Sequence, residues 1–279
     1  MARITDGGGS WNIGAAAIVE FATLMNAAYL AKGGELWPND RRVLHQGSQA
    51  QAGEPNRIAR ALTDVGKRVT MTARRDGPFG LKHSLTWVDR LGIWLSTRRI
   101  RSAVPDFAGL RVADIGCGYH ALFARSVLDQ VESMILVDLA LAESLKQNPR
   151  VTAIQGELPE CMAAIEDRSL DVVICNSVIE HLAEPLETLI HVDRICAPGG
   201  LVLLNVPSWR GKFFLELAAF RLGLSPAAEM DDHKMYYDPK DLWPLLVRSG
   251  FRPKNIRVFK HKFGLNTFAI CRKSAMVSD

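Results

Sequence analysis

The chain predicts an α/β fold: a doubly wound, mostly parallel sheet whose last strand runs antiparallel, preceded by an N-terminal extension. Three observations carry this. Beyond Pro105, short apolar runs alternate with helical stretches, the pattern of successive βαβ units. The first run ends in the glycine turn Gly116-Cys-Gly118. The last two, Asn255–His261 and Leu265–Arg272, are joined by Lys262-Phe-Gly264, which is too short for a crossover and therefore makes a hairpin.

Residues 1–80 read as an extension and 81–279 as the folded domain. The apolar stretch Ala15–Ala31 is interrupted by Glu20 and Asn26 and falls a little short of the roughly 20 residues a spanning helix needs, so a packed helix is expected. Asp6 and the Gly7-Gly-Gly-Ser10 run replace the cationic start of a signal peptide. From Lys32 to Gly80 the composition is rich in Gly, Gln, Arg and Pro, the mark of a loop-rich segment. Leu85, Val88, Leu91 and Leu95 then recur at helical spacing, with Arg98, Arg99 and Arg101 at the far end, where cations suit the helix dipole. Strands are expected at Arg111–Ile115, Met134–Val137, Val151–Ile154, Asp171–Cys175 and Leu201–Val206. Helices are expected at Ala121–Gln130, Ala140–Gln147, Pro159–Glu166, Pro185–Cys196 and Pro239–Ser249.

Composition narrows the function. The 279 residues are 48% hydrophobic and 23% charged, an ordinary globular balance. The net charge of +4 is uneven: residues 1–105 hold 15 Lys/Arg against 8 Asp/Glu, and the rest hold 19 against 22. No basic run interleaves with aromatics, which argues for a solvated surface and against nucleic acid. Five cysteines without C-x-x-C spacing argue for reduced thiols in a cytoplasmic protein and against a zinc site. Oligomeric state is left open, a homodimer included.

Chemistry-bearing residues fall at the strand ends. Val112-Ala-Asp-Ile-Gly-Cys-Gly118 runs from strand into turn, where glycines let the backbone approach a ligand. Asp138 closes the second strand, 20 residues after Gly118, where a carboxylate can accept from both hydroxyls of a ribose. Gly156-Glu157 closes the third, and Asn176 the fourth, followed by Ser177-Val-Ile-Glu-His-Leu182. Ala197-Pro-Gly-Gly200 makes a turn before the fifth. Duller roles stand beside these: Asp114 can shape the turn, Asp138 can cap a helix, Glu157 can be a helix-start acid, and Asn176 can simply end a strand.

Taken together, Leu95–Lys273 resembles the class I S-adenosylmethionine-dependent methyltransferases, specifically the small-molecule branch with D-x-G-C-G, N-S-V-x-E-H and P-G-G motifs. The resemblance implies a seven-stranded sheet with S-adenosyl-L-methionine over its first strands. It places Asp114, Gly116 and Gly118 at the amino-acid part, Asp138 at the ribose and Glu157 at the adenine, with Asn176 beside them. Tyr119-His120 departs from the pattern, because the family often has a third glycine there. A nicotinamide-dependent oxidoreductase shares the glycine turn and distal acid, but leaves Glu157, Asn176 and the final hairpin unexplained. A catalytically silent binding module is the non-enzymatic alternative.

On the acceptor side, His181 can take a proton from a hydroxyl, or be oriented by Glu180 to shape the pocket. The segment 208–238 reads as an insertion or lid. In it Asp232, Tyr236 and Tyr237 offer hydrogen bonds and stacking surface, and His233 a second titratable group, fit for a sugar, quinone precursor or secondary metabolite. No metal is expected from Asp232-His233 without further ligand spacing.

Overall fold

The computed structural model describes residues 2–6, 9–13, 79–80, 87–212 and 234–275. The stretch 15–31, nearly all of 32–80, Leu85, Asp232 and His233 lie outside the described residues. All described elements belong to one compact unit, residues 1–13 with 76–279. It begins with an antiparallel pair, β1 (Ala2–Asp6) and β2 (Gly9–Ile13), which the sequence reading did not anticipate.

Helix α1 (Trp87–Ala103) follows, with Asp89 in its first turn and Arg101 in its last, both complementing the helix dipole. Its inner stripe is Leu91, Ser96 and Ile100, whereas Leu95 is only half-buried. The rest is β3 (Arg111–Ile115), α2 (Leu122–Arg125), β4 (Ser133–Asp138), α3 (Glu143–Lys146), β5 (Val151–Gln155), β6 (Leu170–Asn176), α4 (Pro185–Ile195), β7 (Cys196–Pro207), α5 (Pro239–Arg248), β8 (Ile256–His261) and β9 (Asn266–Arg272). Seven of these strands form one sheet in the order β5-β4-β3-β6-β7-β9-β8. Only β9 runs against its neighbours, as expected from the hairpin.

Both faces of the sheet are covered, so alternate residues feed two apolar layers. Ala113, Ile115, Val173, Cys175, Val202 and Leu204 pack on one face with Leu189 and Val192 of α4 and Leu242 and Leu246 of α5. Val112, Met134, Leu136, Ile174, Leu203 and Phe268 pack on the other with Ile100 of α1 and Phe107. By the same alternation Asp114, Asp138, Asn176 and Asn205 belong to the α1 face. An Arg111–Asp171 ion pair at 2.9 Å ties the entry of β3 to β6.

Several helices are shorter than predicted. Ala121–Gln130 contracts to the single turn of α2, because Ala121 enters it at φ 44° and the Ser126 hydroxyl donates to the Phe123 carbonyl at 2.7 Å. Residues 126–130 then continue as tight turns, since local side-chain bonds compete with the helix ladder. Ala140–Gln147 contracts to α3, and Pro159–Glu166 is a 3₁₀ turn, Glu160–Ala164. The expected Pro-Gly-Gly turn is instead absorbed into β7. Cys196 already pairs with Leu170, the register slips between Leu170 and Val172, and Gly199 at φ 83° takes up the irregularity.

Candidate active site

β3, β4 and β5 step outward on one side while β6 starts again on the other side of β3. This reversal opens a crevice at the carboxyl ends of β3 and β6, the position where open α/β sheets bind ligands. Gly116 and Gly118 line it at φ 67° and 75°, conformations that favour glycine. A side chain at Gly116 would start 2.3 Å from the Val178 Cγ2 methyl, so the loop passes directly against the segment after β6. The Phe79 carbonyl accepts the Tyr119 N–H at 2.9 Å and lies over Gly118.

Asp138 braces this loop. Its Oδ2 accepts the Gly118 N–H at 2.7 Å, and its Oδ1 accepts the Leu139 N–H at 2.8 Å. Asp114 is buried on the neighbouring strand, where desolvation and then the Asp138 charge push its carboxyl up to about 8. The same burial raises the Cys117 thiol, so it stays protonated. His120, at the third-glycine position, is exposed; its Cδ2 lies 3.5 Å from where a side chain on Gly80 would begin. Glu157 is exposed beyond β5, after a glycine whose added Cβ would meet the Cys161 Cβ at 2.8 Å.

Across the crevice Asn176 is held by its neighbours. The Asn205 amide donates to Asn176 Oδ1 at 3.0 Å and approaches Ser96 Oγ at 3.4 Å, linking the ends of β6 and β7 to α1. Ser177, at φ 59°, donates its N–H to the Asn205 carbonyl at 2.7 Å. The chain then makes the 3₁₀ turn Ile179–His181, which buries Glu180 and leaves His181 half-buried.

The Glu180 carbonyl accepts the Lys234 N–H at 2.8 Å, so the returning end of the insertion docks on this turn. Tyr237 is buried in the apolar layer, its hydroxyl pushed up to about 12 by desolvation and by Glu180. Tyr236 is buried against the Trp209 indole, with ring centres 5.7 Å apart. Both tyrosines therefore have packing roles, which the segment's polar composition had not revealed. Sequence reasoning also passed over Lys262. This residue sits in the β8–β9 turn, where burial brings its ammonium down to about 8 against the opposing pull of Glu180. The missed signal was a lysine inside a hairpin turn placed at the carboxyl edge.

A family described as methyltransferase domain matches residues 90–255, more than half of the chain and all the strands of the crevice. The chain belongs to this methyltransferase family. Its relatives include the ubiquinone biosynthesis O-methyltransferase of Rickettsia bellii, 25% identical over 194 residues, 66% of this chain and 77% of that protein. The tRNA U34 carboxymethyltransferase of Methylococcus capsulatus is 29% identical over 167 residues, 57% of this chain and 49% of that protein. Among solved structures, a Bordetella parapertussis protein has a TM-score of 0.52 at 13% identity, covering 95% of this chain and 98% of that one, a likeness of fold.

The methyltransferase is S-adenosylmethionine-dependent. The crevice fits this cofactor in two respects. The glycine loop turns tightly against Val178 and the Phe79 carbonyl at positions that favour glycine, and the acids beside it match the cofactor's donors. Asp138 is an acceptor-only carboxylate at the loop, a type suited to hydroxyls. Buried Asp114, whose nearest charge is another acid, would be relieved by an ammonium. When bound, the cofactor supplies an electrophilic methyl group. Among the described residues no helix is long and apolar enough to cross a membrane, and no three His, Cys, Asp or Glu side chains cluster to hold a metal.

Proposed function

We propose that this methyltransferase O-methylates a phenolic small molecule of the quinone-precursor kind. The observation that carries the reading is the crevice itself: the glycine loop and Asp138 on one wall, with a separate cluster of polar groups, Asn176, Glu180 and His181, on the other. In this reading Asp114, Gly116 and Gly118 hold the amino-acid part of the cofactor, Asp138 its ribose and Glu157 its adenine, while Asn176 closes the site from β6. His181 flanks the acceptor and Tyr236 and Tyr237 support its wall from beneath; His233 and Asp232, the other residues of this reading, lie outside the described residues. Aligning donor and acceptor in a dry site supplies most of the rate, because a sulfonium is already a good leaving group.

The name of the Rickettsia relative favours a quinone-type acceptor. Residues 81–279 would form the catalytic domain, working in the cytoplasm, with residues 1–80 as an extension.

Turnover with labelled S-adenosylmethionine tests the reading. Catechols should be methylated on oxygen, and unmodified tRNA should not. Labelling of tRNA alone would overturn the small-molecule acceptor, and binding of S-adenosylhomocysteine without any turnover would favour a silent module.

A further inference from the structure

The β8–β9 turn brings a lysine to the working edge of the sheet. β7 runs parallel to β6, and Pro207 at its end pairs with Asn266 at the start of β9. Lys262–Gly264 therefore lies at the same carboxyl edge as Asn176 and the glycine loop. Lys262, Phe263 and Gly264 have φ values of 48°, 58° and 85° in succession. Residues with a Cβ adopt this conformation only where their surroundings enforce it, and such residues concentrate at functional sites.

The surroundings here are specific. Ser208 donates its N–H to the Leu265 carbonyl at 2.9 Å and its hydroxyl to the Gly264 carbonyl at 2.7 Å. Gly211 fits only because it has no side chain, since a Cβ there would lie 2.1 Å from the Leu265 oxygen. Held this way, the turn leaves Phe263 exposed and sends the Lys262 ammonium inward, to 3.8 Å from where a side chain on Gly92 would begin. Gly92 lies one helical turn before Ser96, which belongs to the Asn205–Asn176 network. The lysine thus reaches the acceptor side of the crevice.

Its electrostatic surroundings come from every packed element. Glu180 favours the ammonium and desolvation opposes it. Desolvation, and then the Lys262 and Arg99 charges, bring His261 down to about 4, so it stays neutral near pH 7. Arg210 lies 3.4 Å from where a side chain on Gly264 would begin, and the Glu180 charge also acts on Tyr237.

We propose that Lys262 is the base that receives the acceptor's hydroxyl proton, which restricts the acceptor to acidic hydroxyls of the phenol class. This rests on the O-methylation reading above. The acceptor O–H bond breaks and its proton joins the neutral Nζ. The oxygen keeps the electron pair with which it takes the methyl group, the donor's sulfur–methyl bond breaks with its pair left on the sulfur of the departing thioether, and solvent later removes the proton from Lys262. A lysine whose proton affinity burial has brought near pH 8 is matched to a phenol, which ionises near 10, and far too weak for an aliphatic alcohol.

The test uses the full chain with catechol and with 4-nitrocatechol, whose phenolate is coloured. In Lys262→Met and Lys262→Arg, catechol turnover should fall about 100-fold, with S-adenosylhomocysteine affinity within about twofold of the parent. The loss should be smaller with 4-nitrocatechol, which ionises more readily, and the rise of kcat with pH around 8 should disappear. Should both variants fail to fold, the parent chain decides: 4-nitrocatechol bound with S-adenosylhomocysteine at a pH about one unit below its free pKa should turn to the coloured phenolate. Undiminished catechol turnover in the variants, or bound 4-nitrocatechol that stays neutral, overturns the lysine's role. A parent chain that neither binds nor methylates either catechol overturns the phenol reading, and this proposal with it.

Discussion

The carboxylate of Asp138 bridges the Gly118 and Leu139 N–H groups, so the acid at the end of β4 shapes the glycine loop at the edge of the crevice. Asp138→Ala should therefore lower S-adenosylhomocysteine affinity by about tenfold to a hundredfold, the loss of one or two charge-assisted hydrogen bonds. Titration calorimetry measures this directly. Affinity equal to the parent's would move the ribose site elsewhere.

Burial makes Asp114 a source of pH-dependent stability. Its folded carboxyl is raised from 3.8 to about 8, so between those values the folded chain holds a proton that the unfolded chain has released. Stability of the free protein should fall as pH rises through that window and level off above it. Asp114→Asn removes the penalty and should stabilise the free protein at pH 9 by on the order of a few kcal/mol, while weakening the cofactor product. Urea denaturation at pH 5 and pH 9 tests the sign; a variant less stable than the parent at pH 9 contradicts it.

Gly116→Ala meets two obstacles, the 2.3 Å approach to Val178 and a φ of 67°. Together these should cost about 2–4 kcal/mol, one part from overpacking and one from the left-handed backbone. Val178→Ala should recover the steric part alone, a coupling above about 0.5 kcal/mol in a double-mutant cycle. Simple additivity of the two changes would mean that the loop relaxes away from Val178.

On the proposed reading His181 borders the acceptor without being its base. His181→Ala should lower kcat about tenfold with cofactor affinity intact, and should leave the pH limb near 8 in place. Disappearance of that limb in His181→Ala would transfer the proton to the histidine.

The strands were readable because each is a short apolar run closed by a polar or glycine residue, and β3 begins and ends where its pattern does. Helices following β3, β4 and β5 were over-read. Their apolar spacing is real, but side-chain bonds such as Ser126 to Phe123 and an entry in the left-handed region at Ala121 divert the backbone into tight turns. Tyr236 and Tyr237 were legible as aromatic but not as buried, since burial depends on Trp209 and on the apolar layer of the opposite strands.

Local pattern alone determined that this chain is an α/β protein with polar and glycine residues at its strand ends, because strand ends, glycine turns and alternating faces are encoded over a few residues each. The methyltransferase family came from the likeness of its motifs to known ones. Only the tertiary structure decided that Lys262, 82 residues beyond Glu180 in the chain, shares an electrostatic environment with it. Strand order is a long-range property: inserting β9 between β7 and β8 carries a hairpin turn to the catalytic edge, and no local period in the sequence records that placement.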